Sequence, residues 1–111
     1  MRYYLTLPDP EKARVGGEFG FRSHGAAGFA EELQEALRTG GVFQKWLAMQ
    51  DEPDDVDPAL AAIDPDAVVT GAMDDLHVDL QAVTSLSGDV LKHRLRLLAG
   101  PHWQLRDVTA S

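Results

Sequence analysis

The sequence predicts an α+β domain, and three observations carry that expectation. Residues 26–38 place Phe29, Leu33 and Leu37 four apart, with Ala30 and Ala36 flanking them, which is the period of an amphipathic helix. Residues 76–85 alternate instead: Leu76, Val78, Leu80 and Ala82 point one way, His77, Asp79 and Gln81 the other, as a half-buried strand requires. The 111 residues are 44% hydrophobic and 25% charged, ordinary values for a chain with one real core. The expectation is therefore a single domain over 1–111, with an acidic Asp-Pro connector at 51–66.

Taken in order, Arg2–Leu7 is aromatic and β-branched enough for a strand, and Pro8-Asp9-Pro10 ends it. Residues 18–23 alternate apolar and polar side chains and read as a second short strand, weakened by Gly20. The helix at 26–38 is expected to stop at Gly40-Gly41, through a glycine in the left-handed region. A second helix follows, because Val42, Phe43, Trp46 and Leu47 share a face, and the two helices make a hairpin. Residues 51–66 have no apolar period. Within them Asp57 as cap and Pro58 at the first helical position start a short helix, from which Leu60 and Ile63 can dock. Residues 67–73 and 76–85 form two antiparallel strands, with the turn at Asp74-Asp75.

Residues 88–99 support two readings. As a helix, Val90, Leu91, Leu95 and Leu98 share a face, Ser87 caps it, and Gly100-Pro101 ends it. As a strand, Leu91, His93, Leu95 and Leu97 line one side. The capping and stop signals favour the helix. Residues 103–108 close as a final strand. With 88–99 helical, the main order is β-α-β-β-α-β, which resembles ferredoxin-like domains, with an extra N-terminal strand at 18–23. With 88–99 a strand, the C-terminal half becomes a meander packed on the helical hairpin. The resemblance is one of element order and implies no function.

Composition narrows the chemistry. The chain has no cysteine, which excludes disulfides, thiolate metal sites and cysteine nucleophiles. Residues 1–8 hold no apolar run of signal-peptide length, and no stretch reaches the ~18–20 apolar residues of a membrane span, so a cytoplasmic location is expected. Asparagine is absent, while Ala, Gly, Arg and Asp are plentiful, a usage that fits a GC-rich, bacterial genome.

The net charge of −8 is uneven. Residues 1–50 balance to zero, whereas residues 51–66 carry seven acids and no base. Such a distribution disfavours nucleic-acid binding, since that binding rests on neutralising phosphates with Lys and Arg. It points instead to a basic protein partner.

Four constellations are candidates for function. At the junction Arg22, Ser23, His24, Gly25 and Gly28, free N–H groups at a helix start, with glycines and a cation, suit an anion or small ligand. The spacing of Gly20 and Gly25 is that of a P-loop, but Ala26-Ala27 stands where Lys-Ser/Thr is needed, which excludes that type of nucleotide site. The structural alternative is that Ser23 caps the helix and Gly25 relieves a turn. His77 and Asp79 share a strand face and would need a third ligand to hold a metal; none stands at a diagnostic spacing, so no metal site is assigned. Lys92, His93, Arg94, Arg96, His102 and Trp103 form the one basic cluster, which is expected to be solvated or paired with the acidic connector. The fourth is the acidic run Asp51, Glu52, Asp54, Asp55 and Asp57, a surface for a partner.

The sequence-level expectation is a non-catalytic protein-binding or regulatory module acting through that acidic surface. The alternative is a small-ligand or enzymatic domain with its site at 22–28. A homodimer that completes its sheet between subunits is a third arrangement. No catalytic residue, cofactor or metal is assigned.

Overall fold

Strand β1, Arg2–Leu7, lies inside a four-stranded sheet rather than at its margin. The computed structural model describes residues 1–14, 20–23 and 25–110. The remaining strands are β2 (Val68–Asp74), β3 (His77–Val83) and β4 (Gln104–Thr109), and the sheet order is β2-β3-β1-β4. Every pairing is antiparallel. A register shift between Tyr4 and Leu5 bends the β1–β4 pair. The class is α+β.

Strand β3 shows why the alternation mattered. Val78, Leu80 and Ala82 are buried, while His77, Asp79, Gln81 and Val83 are half-buried on the opposite face. Leu76 departs from this pattern. With Asp75 it forms the two-residue turn between β2 and β3, and it is 81% exposed. Asp75 takes a φ of 57°, a left-handed conformation that aspartate tolerates better than most side chains. The turn therefore lies one residue later than the sequence suggests, and Asp74 belongs to the strand.

Among the described residues, four helices accompany the sheet: α1 (Pro10–Ala13), α2 (Ala26–Arg38), α3 (Gly41–Ala48) and α4 (Gly88–Ala99). The ambiguity at 88–99 resolves as a helix. The Ser87 hydroxyl accepts from the Val90 amide, Asp89 sits in the first turn, and Gly100 ends the helix with a φ of 58°. Gly40 and Gly41 work differently from expectation. Neither adopts a positive φ, and α2 ends at Thr39, whose amide and hydroxyl both donate to the Glu35 carbonyl.

Buried side chains of α2 (Phe29, Ala30, Leu33, Ala36, Leu37) and α4 (Val90, Leu91, Leu95, Leu98) meet Tyr3, Leu5, Leu7, Val78 and Leu80 in one hydrophobic cluster. The expected hairpin does not pack on the sheet as a unit, because α3 turns aside and lies against α4. There Trp46 meets the His93 ring at 4.5 Å, and the Phe43 ring sits 5.0 Å from the Arg94 guanidinium carbon.

Residues 20–23 are not a strand. Phe21 instead donates its amide to the Leu98 carbonyl at 2.8 Å and sets its ring edge-on to Phe29 at 4.9 Å. Residues 18–19 of that expected strand lie outside the described residues. The neighbours of β1 are β3 and β4.

Helix α2 approaches β2 closely at Gly71, where a Cβ would stand 2.6 Å from the Ala26 carbonyl oxygen. Backbone cannot yield as a flexible side chain can. Gly71→Ala is therefore expected to cost about 1–2 kcal/mol by forcing helix and sheet apart. Urea denaturation checks this, with Gly25→Ala as the control, since a Cβ there meets nothing within 4 Å.

Candidate functional site

The acidic connector is tied to the rest of the fold through its second half, at residues 60–66. Pro53–Asp55 and Pro58–Ala61 are short 3-10 turns, and the Asp57 carboxylate caps the second by accepting from the Ala59 amide at 2.9 Å. The anticipated cap is present, although the turn is 3-10 and shorter than the expected helix. Leu60 is half-buried, but Ile63 is 46% exposed and does not dock.

Arg94, from α4, fastens this segment to the core. Its side chain is fully buried, and it donates to the carbonyls of Ala36 (3.3 Å), Leu60 (2.6 Å) and Ala62 (2.9 Å). Burial pulls its pKa below the ordinary arginine value, yet three carbonyl dipoles surround the charge. The pairing expected between the basic cluster and the acidic connector thus takes another form: Arg94 binds the connector's backbone, not its carboxylates. The basic cluster is not one surface, because Arg94 is buried, His93 packs on Trp46, and Arg96 is exposed.

Asp64 adds a second tie two residues beyond Ala62. Its carboxylate accepts from the Thr84 hydroxyl (2.7 Å) and from the amides of Ser85 and Asp66 (3.0 Å each). These bonds, led by that from Thr84, hold its pKa below the ordinary aspartate value, against the opposing effect of burial. Its own amide donates to the Leu37 carbonyl. Ahead of both anchors in the chain, Asp51, Glu52, Asp54, Asp55 and Asp57 are all exposed, and none forms an ion pair with a base among the described residues.

Just before α2, the amides of Arg22 and Ser23 donate to the Glu32 carboxylate at 3.0 and 3.1 Å. The protein thus supplies its own anion there, and an external one would compete with it. The adjoining groove is lined by Glu31, Glu32 and Glu35 as well as Arg22 and Lys45. Ser23 does not cap α2: the cap position is Gly25, with no side-chain bond. Ser23 sits instead over Gly28, where a Cβ would come within 2.5 Å of the serine side chain. Gly25 has open space and a φ of −107°, so no tight turn demands glycine. His24 lies outside the described residues.

The sheet face turned away from the helices holds a group the sequence did not bring together. His77 Nε2 lies 3.4 Å from Asp79 Oδ2 and 3.8 Å from Asp74 Oδ2. The register explains this, since Asp74 pairs with His77 across the β2–β3 turn and Asp79 pairs with Thr6 on β1. These residues line a groove of about 590 Å³ that also includes Tyr4, Gln81 and Arg106. A strand register with Asp74 inside β2 was the missing signal.

Comparisons with protein-family models, curated proteins and solved structures returned no match. Among the described residues, no helix is long and apolar enough to cross a membrane.

Proposed function

We propose that this protein is a non-catalytic binding module whose partner is a protein presenting a Lys/Arg-rich surface, contacted through residues 51–57. The observation that supports this reading is the display of the charge. Five exposed carboxylates stand within seven residues, immediately before the segment whose Leu60 and Ala62 carbonyls Arg94 ties to α4. A support fixed before binding lowers the ordering cost that a free acidic tail would meet. Unpaired carboxylates of one sign also steer a basic partner during encounter, an effect that added salt screens over roughly 8 Å.

The junction at 22–28 is the alternative place for a ligand. The engagement of two of its amides by Glu32 favours the connector over it.

The test is affinity capture from a cell lysate at low and high salt, followed by rebinding of each purified captured protein. Neutralising Asp51, Asp54, Asp55 and Asp57 to asparagine together is expected to weaken rebinding by at least about tenfold. The captured protein is expected to be basic and to release with salt. Retention that the fourfold variant leaves unchanged would remove the connector from the binding surface.

A further inference from the structure

We infer that Asp74, His77 and Asp79 form a binding site for a first-row divalent cation such as Zn²⁺ on the open sheet face. One donor atom from each lies within 4.8 Å of the other two. Around a tetrahedral zinc with bonds near 2.0–2.2 Å, donor atoms stand roughly 3.3–3.5 Å apart. The His77–Asp79 separation of 3.4 Å already meets this, and the His77–Asp74 separation of 3.8 Å needs a few tenths of an ångström of closure. Asp74 is well exposed and next to a turn, so it is free to make that adjustment.

Two features separate this group from an ordinary exposed acidic cluster. The first is the imidazole, a borderline ligand that favours Zn²⁺ and its neighbours over Mg²⁺ or Ca²⁺, which take oxygen donors. The second is the support behind Asp79. Thr6 is 4% exposed, and its hydroxyl donates to Asp79 Oδ1 at 2.8 Å. That bond occupies one carboxylate oxygen and leaves Oδ2 aimed at His77 Nε2, the arrangement by which outer groups orient metal ligands. Two carboxylates against one imidazole also make the protein donor set doubly negative, matching the cation's charge.

Three protein ligands leave a coordination position for water or an added ligand. It opens on the groove lined by Tyr4, Gln81 and Arg106. The site lies on different elements from the acidic connector and stands independently of the connector's role.

Calorimetric titration of untagged protein with Zn²⁺ at neutral pH tests the inference. One ion per chain is expected, with a dissociation constant below about 10 μM. His77→Ala and Asp74→Asn are each expected to weaken it at least tenfold, and Thr6→Val about tenfold through loss of carboxylate orientation. His102→Ala should leave the affinity unchanged. Circular dichroism of the variants establishes that each remains folded, and His77 and Asp74 are exposed enough for substitution. Co²⁺ in place of Zn²⁺ should give visible absorption bands that His77→Ala abolishes. Weaker binding, no binding, or binding that survives His77→Ala overturns the site.

Discussion

Arg94→Met should destabilise the protein by roughly 3–5 kcal/mol, the largest effect expected of any single substitution considered. Methionine approximately fills the space of the arginine stem but donates no hydrogen bond. The carbonyls of Ala36, Leu60 and Ala62 would then lose their side-chain donor, and Leu60 and Ala62 would lose their tie to α4. The contact between the guanidinium and Phe43 would go as well. Arg94→Lys is expected to recover only part of the loss, because one ammonium cannot reproduce a planar fork aimed at three acceptors. Urea denaturation measures both variants. A cost under about 1 kcal/mol for Arg94→Met would mean that the connector is held by something else.

Asp64→Ala is expected to cost roughly 2–4 kcal/mol near pH 7, with a pH dependence that identifies its cause. The carboxylate accepts three hydrogen bonds that join the end of the connector to the Thr84–Ser85 corner. Those bonds favour the ionised form, so the folded-state pKa lies below the ordinary value of 3.8. A depressed carboxylate pKa adds stability that is complete above the unfolded-state pKa and disappears as pH falls through the folded-state pKa. The gap between wild type and Asp64→Ala should therefore stay constant from about pH 7 down to about pH 5, then narrow on further acidification. Chemical denaturation at a series of pH values reads the gap directly. A gap that stays constant under acid conditions would assign the loss to packing rather than to the carboxylate.

Local signals made α2, α4 and β3 readable, whereas α1 and the non-strand course of residues 20–23 were not anticipated. The four-residue spacing of Phe29, Leu33 and Leu37 and the cap-to-stop logic from Ser87 to Gly100 describe α2 and α4 as they stand. The alternation from His77 to Val83 likewise assigned the faces of β3. What the sequence concealed is set by contacts between distant residues. Arg94 sits in a run of basic residues that reads as solvated, and only the packing of α4 against the connector shows it to be buried. Helix α3 has an apolar face suited equally to a sheet or to another helix, and it takes α4.

The candidate sites divide in the same way. His77 and Asp79 were visibly on one face, but placing the turn one residue early removed Asp74 from its partner strand. A single-residue change of register decides which side chains meet. At the junction, Glu32 was hidden in the polar face of α2. It stands four residues after Gly28, one helical turn on, which was the available clue that it could reach back over the helix start.

The account rests on residues 51–57 being the contact surface, and mapping amide chemical shifts tests this most directly. Isotope-labelled protein would be titrated with the purified captured partner and followed amide by amide. The account predicts changes concentrated at residues 51–57 and in the adjoining turn at 58–62. Changes confined to the sheet face around Thr6, His77 and Gln81, or to the junction at 22–28, would contradict it.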